Sequence, residues 1–157
     1  MTPDEPDDNL YRNSLPEQVA AYMLGNDLLS QSLNMVITTA KLGYSVLEMK
    51  VDARMLNGFG ICHGGVITAL ADSAFAFACN SRNELSVASS ISIEFLNSAV
   101  KNDLLVATAR EVMLKNRLGL YEVQVVNQRN EMVALVTGRS YKLQGRYVIQ
   151  EDRQVEV

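Results

Sequence analysis

Cys62-His63-Gly64-Gly65-Val66-Ile67-Thr68-Ala69-Leu70-Ala71-Asp72-Ser73-Ala74-Phe75-Ala76-Phe77-Ala78-Cys79-Asn80-Ser81 is the stretch whose reading decides the fold. After the glycine pair it runs through Ala, Leu, Ile, Val and Phe without a proline. Ala and Leu are among the best helix formers, so a helix starts at the glycines. It is apolar on nearly every side, which predicts a helix buried at the centre of a packed domain. Asp72 is the one charged residue inside it. A carboxylate in apolar surroundings either pairs with something structural or has a perturbed proton affinity and acts as nucleophile or base.

The glycines favour the chemical reading. The first N–H groups of a helix have no partner within it and carry the positive end of its dipole. A glycine there lets a ligand approach the backbone, and an N–H aimed at a carbonyl oxygen stabilises the oxyanion formed on attack. Gly64 and Asp72 are eight residues apart in sequence, or ~12 Å along one helix. They cannot serve one carbon atom from the same chain. A site that uses both draws them from two chains, at a two-fold interface that holds two equivalent sites.

The other segments frame this helix. The 157 residues are the size of one domain, with 48% apolar residues, enough for a core. The net charge of −4 with no dense basic cluster argues against a nucleic-acid partner. Cys62 and Cys79 stand at opposite ends of the helix, ~25 Å apart, beyond disulfide reach, which predicts reduced thiols in a cytoplasmic protein. One His and two scattered Cys make no metal site. No apolar run is long enough to cross a bilayer, and the acidic start is no signal peptide.

Residues 1–13 read as a disordered acidic leader, 14–145 as the folded domain and 146–157 as a polar tail. Ser14, Pro16 and Glu17 open a helix, and Gly25-Asn26 breaks it or divides it in two. From residue 35 the period switches to two. Residues 35–41 pair with a strand through Leu47, Met49 and Val51 across a Leu42-Gly43 turn. Residues 53–62 form a glycine-bearing loop. Beyond the central helix, Arg82-Asn83-Glu84 is a polar break. Strands follow around Ile91–Phe95, over 104–114, around Tyr121–Val125 and over 132–143, joined by short polar turns, with fraying from Gln144. The sum is an α+β single domain in which a mostly antiparallel meander wraps one greasy helix.

A curved antiparallel sheet around a long helix is the hotdog arrangement, and the motifs carry the likeness further. Met55-Leu56-Asn57-Gly58, Cys62-His63-Gly64-Gly65, Leu70-Ala71-Asp72-Ser73-Ala74-Phe75 and Ala78-Cys79-Asn80-Ser81 resemble the motif set of PaaI-type acyl-CoA thioesterases. The likeness continues through Val87-Ala88-Ser89, Ile93-Glu94-Phe95-Leu96 and Val125-Val126-Asn127-Gln128, so it covers roughly residues 22–142. The resemblance implies hydrolysis of an acyl-CoA, of aryl-acetyl type such as phenylacetyl- or hydroxyphenylacetyl-CoA, with no metal or other cofactor. It places Asp72 as the attacking or water-activating carboxylate and Gly64 as the N–H that polarises the thioester carbonyl. Asn57 and His63 match polar groups near the water and thioester. Ser73 stands where a water-positioning Thr is frequent. The family assembles as dimers paired into tetramers.

Coenzyme A brings phosphates, for which Gly65, Lys115, Arg117 and Arg139 are the binding candidates, a solvated surface charge being the alternative for each cation. Leu118 departs from the hydroxyl residue common near that turn. Two other readings compete. A hotdog hydratase or dehydratase would use His63 and Asp72 as an acid–base pair. A non-catalytic acyl-CoA-binding module would keep the fold and lose the acid, but Asp72 is present.

Overall fold

The computed structural model describes residues 13–150. The leader before Asn13 and the end of the tail, 151–157, lie outside the described residues.

Helix α1 (Leu15–Asn26) begins as its sequence predicts, with Pro16 in its first turn. The Glu17 carboxylate accepts the Ser14 N–H at 2.7 Å and the Ser14 hydroxyl at 2.9 Å. The Gly25-Asn26 break divides the segment. Asp27 starts a second short helix, α2 (Leu28–Ser32), by accepting the Ser30 N–H at 3.0 Å. Strands β1 (Val36–Lys41) and β2 (Tyr44–Lys50) form a hairpin. Its turn needs Gly43, where φ is +64° and a Cβ would lie 2.8 Å from Glu111 Cβ. A 3-10 turn at Ala53–Met55 leads through the loop to α3 (Gly64–Cys79). Four strands follow: β3 (Glu84–Phe95), β4 (Leu104–Lys115), β5 (Leu118–Val126) and β6 (Met132–Tyr147).

All six strands form one antiparallel sheet in the order β1-β2-β4-β5-β6-β3. It wraps α3 as the hotdog arrangement requires. Leu47 and Met49 of β2, Leu105, Ala107 and Ala109 of β4, Val123 and Val125 of β5, and Val136 of β6 form the buried face of the sheet. They share one core with Ile67, Leu70, Ala74 and Phe75 of α3. Each such Val, Leu, Ile or Phe stabilises the fold by about 1.5–3 kcal/mol through burial. Phe75 meets the Tyr121 ring at 5.3 Å between centroids, tilted by 56°. Turns in this sheet use asparagine in the left-handed region: Asn83, Asn102, Asn116 and Asn130 all have positive φ.

Four readings of the sequence are corrected. The sheet is not a simple meander, because β3 crosses to the far edge and pairs only with β6. β3 also begins at Glu84, inside the expected polar break, because the buried Asn80 side chain holds its start. Asn80 accepts the Ser86 N–H at 2.8 Å and donates to the Ser86 carbonyl at 3.0 Å. β6 runs to Tyr147 instead of fraying from Gln144. Lys142 bonds Glu84 at 2.9 Å, and Asn83 brackets Ile149 with bonds of 2.7 and 3.0 Å. Finally, α3 is not buried all round. Gly65 and Asp72 are exposed and Ala69 and Ala76 half-buried. Their spacing of four, seven and eleven residues puts them on one helix face. The apolar composition of that face is therefore not matched by any covering element in the single chain.

Candidate active site

The N-terminus of α3 is built by His63. Its Nδ1 accepts the Gly65 N–H at 2.8 Å. That nitrogen is therefore unprotonated and Nε2 carries the hydrogen, pointing a donor away from the helix. The His63 carbonyl takes the N–H groups of Val66 and Ile67 at 2.9 and 3.2 Å. Gly64 is left. Its N–H is the helix-opening donor without a hydrogen-bond partner among the described residues. Phe95, at the end of β3, stands so close that a Cβ on Gly64 would lie 3.1 Å from its ring.

Gly64 lines a cleft of about 240 Å³ with Asn57, Ile61, Cys62, Ile67 and the β3 end from Phe95 to Ser98. Asn57 also shapes the loop that precedes the helix. Its Oδ1 accepts the N–H groups of Phe59 at 2.9 Å and Ile61 at 3.3 Å. That leaves the Asn57 amide nitrogen as the group free to donate. Phe59, on the same loop, is 91% exposed.

Asp72 lies elsewhere. It lines a second cleft of about 290 Å³ with Phe75, Ala76 and Cys79 of α3, Met23 of α1, the β3 start from Leu85 to Ala88, and Val148. Its side chain is open to solvent in the single chain. Even so, crowding by these mostly apolar neighbours raises its proton affinity above that of an ordinary aspartate, and the negative charge of Asp27 adds to the effect. Exposure keeps that effect modest. Burial pushes the Cys79 thiol up to about 12 and the Cys62 thiol up to about 11, so both are inert as nucleophiles at neutral pH. Both cysteines are buried and unpaired with one another.

Ser73 does not line either cleft. Its hydroxyl lies 2.9 Å from the hydroxyl of the fully buried Ser30. Of the three cations singled out from sequence, Arg117 lies in a basic groove of about 270 Å³ with Lys142, Arg146 and Tyr147. Lys115 and Arg139 are exposed outside that groove. Lys142 and Arg146 escaped the sequence reading, which ended the last strand at residue 143 and put Arg146 in the tail, whereas β6 runs to Tyr147. Asp27 and Ser30 were also missed, because a contact with a residue 43 positions away leaves no local trace. No three His, Cys, Asp or Glu side chains among the described residues gather as a metal-ligand set.

A family model described as Thioesterase superfamily matches residues 59–134, a span that includes Gly64 and Asp72. The chain is 41% identical over 128 residues to the acyl-coenzyme A thioesterase PaaI of Escherichia coli K12, covering 82% of this chain and 91% of the relative. It belongs to the thioesterase superfamily. The solved structure of the E. coli PaaI protein from the phenylacetic acid degradation operon superposes with a TM-score of 0.82 at 39% identity, over 84% of this chain and 96% of that one. A Streptococcus mutans protein solved bound to acetyl CoA superposes with a TM-score of 0.69 at 26% identity, over 72% and 91% of the two chains.

Proposed function

We propose that this thioesterase-superfamily enzyme hydrolyses an acyl-CoA thioester, of aryl-acetyl type, to the free acid and coenzyme A. The likeness to E. coli PaaI over most of both chains supports the reaction class, and the operon named for that protein supports the aryl-acetyl group. The acetyl-CoA complex of the S. mutans protein supports coenzyme A as the carrier.

One observation carries the mechanism. The free Gly64 N–H and the Asp72 carboxylate line separate clefts of one chain, and β3 touches both. Its start, Leu85–Ala88, borders the Asp72 cleft, and its end, Phe95, borders the Gly64 cleft. β3 is an edge strand with exposed Val87 and Phe95. If two copies pair antiparallel along this edge, the start of one strand meets the end of the other. The Asp72 cleft of one protomer then faces the Gly64 cleft of its partner. The site is a shared one in a homodimer, and pairing of dimers into a tetramer belongs to the same proposal.

In that site the Gly64 N–H binds the thioester oxygen and stabilises the oxyanion that develops on it. Asp72 attacks the carbonyl carbon or takes a proton from water that attacks it. Its raised proton affinity makes it the better base near neutral pH. The Asn57 amide donates to the water or the carbonyl region, and the His63 Nε2–H donates toward the departing thiolate. Arg117, with the neighbouring Lys142 and Arg146, receives the phosphates of coenzyme A. Because His63 Nδ1 accepts the Gly65 N–H, the outward Nε2 carries the hydrogen and cannot take a proton from a substrate, which favours hydrolysis over the hydratase reading. The deciding experiment is release of free thiol from a panel of acyl-CoAs by wild type and Asp72→Asn. Turnover of aryl-acetyl-CoA that the variant loses supports the proposal. Absence of thiol release from every thioester overturns it.

A further inference from the structure

We infer that Asp27, Ser30 and Ser73 form a positioning chain that ties α2 to α3 beside Asp72 and sets the charge that the Asp72 carboxylate faces. The inference rests on Asp72 being the carboxylate of the hydrolytic site.

The hydrogen-bond count fixes the chain's direction. Ser30 is fully buried. Its N–H and its hydroxyl both donate to the Asp27 carboxylate, at 3.0 and 2.5 Å. A hydroxyl has one proton, and that of Ser30 is spent on Asp27. The contact of 2.9 Å between Ser30 and Ser73 therefore has Ser73 as donor. Each polar atom of the chain thus has a defined partner, and the Ser73 hydroxyl is held one residue from Asp72. Such a network in a partly dry setting fixes geometry more firmly than its separate bonds do.

The second consequence is electrostatic. Asp27 is the N-cap of α2, and its carboxylate accepts both the N–H and the hydroxyl of Ser30. It is the charged group whose field reaches Asp72. The other elements against the Asp72 cleft contribute Met23 from α1, Leu85, Ser86, Val87 and Ala88 from β3, and Val148, none of which titrates. Cys79 of α3 itself stays a neutral thiol. A like charge opposes ionisation, so Asp27 adds to the desolvation that raises the Asp72 proton affinity. Ser73 is a positioning residue in this scheme, acting on Asp72 through the helix.

Two pairs of variants test it. Asp27→Asn keeps the contacts with the chain reversed: its amide donates to Ser30, and Ser30 donates to Ser73. Only the charge is lost. The acid limb of kcat/KM then moves to lower pH, so the variant keeps a larger share of its neutral-pH activity in acid, while Asp27→Glu retains the wild-type profile. Ser30→Ala cuts the link, and kcat falls roughly tenfold with KM little changed, while Ser30→Thr restores it. An unmoved acid limb in folded Asp27→Asn, together with wild-type kcat in Ser30→Ala, overturns the inference. Asp72→Asn is assayed alongside. If it stays active, the reading of Asp72 and the chain built on it both fail. If it is inactive while the other variants behave as wild type, only the chain fails.

Discussion

At the scale of single residues, the proposed site depends on one N–H and one carboxylate, and each can be isolated by substitution. Gly64 occupies the first position of α3, and His63 before it has extended backbone (φ −62°, ψ 132°), a conformation that proline tolerates in its predecessor. Proline is also accepted at the first helical position, where its missing N–H is an orphan anyway. Gly64→Pro therefore removes the oxyanion donor and keeps the helix. We expect kcat to fall about 10²–10³-fold. Gly64→Ala is the control, because it keeps the N–H and adds only a methyl against the tip of the exposed Phe95 ring. Equal losses in the two variants would mean that bulk, not the N–H, matters. Asp72 carries a sign that can be worked out. Its folded proton affinity is raised, so the folded state binds a proton more tightly than the unfolded chain. Stability then falls as pH rises through the unfolded and then the folded pKa. Asp72→Asn removes that cost. It is expected to abolish turnover and raise Tm at neutral pH, measured by calorimetry against wild type. In wild type the acid limb of kcat/KM lies above the pKa of an ordinary aspartate. A limb at or below that value would contradict the raised proton affinity.

At the scale of elements, the C-terminal end of α3 is held by a polar cluster that lines neither cleft. Arg82 grips Glu111 with two bonds of 2.7 and 3.1 Å, and Tyr121 donates to the same carboxylate at 2.8 Å. Despite the desolvation that burial imposes, the bonds from Arg82 and Tyr121 keep the Glu111 carboxyl below its usual range. This stabilisation is present above the unfolded pKa and lost as pH falls through the folded one. Glu111→Gln strands the Arg82 charge and is expected to destabilise by about 1–3 kcal/mol, read as a lower denaturant midpoint with activity per folded molecule retained. A neutral effect would show that the cluster contributes nothing net. The sequence made the neighbouring elements legible where periodicity is local: the Ser14-Pro16-Glu17 start, the alternation in β2, and the Gly64–Cys79 helix. It did not reveal that β3 leaves the meander, since strand order is set by what packs over α3 and not by the strand's own pattern. Nor did it reveal Ser30 against Ser73, which becomes a contact only after α2 folds across the helix. The basic groove was half legible: Arg117 showed in its turn, while Lys142 and Arg146 were hidden in residues read as the end of a strand and its tail.

At the scale of the whole molecule, the apolar helix face with Gly65, Ala69, Asp72 and Ala76 was read as buried and is open in one chain. The spacing argument for two chains at one site offers the reason, and it makes a prediction that a single-chain site cannot meet. In the proposed dimer each site combines Gly64 of one protomer with Asp72 of its partner. Consider a heterodimer of an Asp72→Asn chain and a Gly64→Pro chain. One of its two sites carries both lesions, and the other carries neither. Random assembly makes about half of the dimers mixed, so coexpression of two inactive variants is expected to recover roughly a quarter of wild-type activity. If both groups acted within one chain, each chain would hold a broken site and no mixture would recover turnover. Ser92→Lys, in the exposed edge of β3 and in the lining of neither cleft, separates assembly from chemistry. It places like charges along the pairing edge, so sedimentation should show a folded monomer without activity, and mixing it with either partner should restore nothing. Recovery in the first mixture, with its loss in the second, assigns the shared site to the β3 edge. A fully active Ser92→Lys monomer would place both groups in one chain.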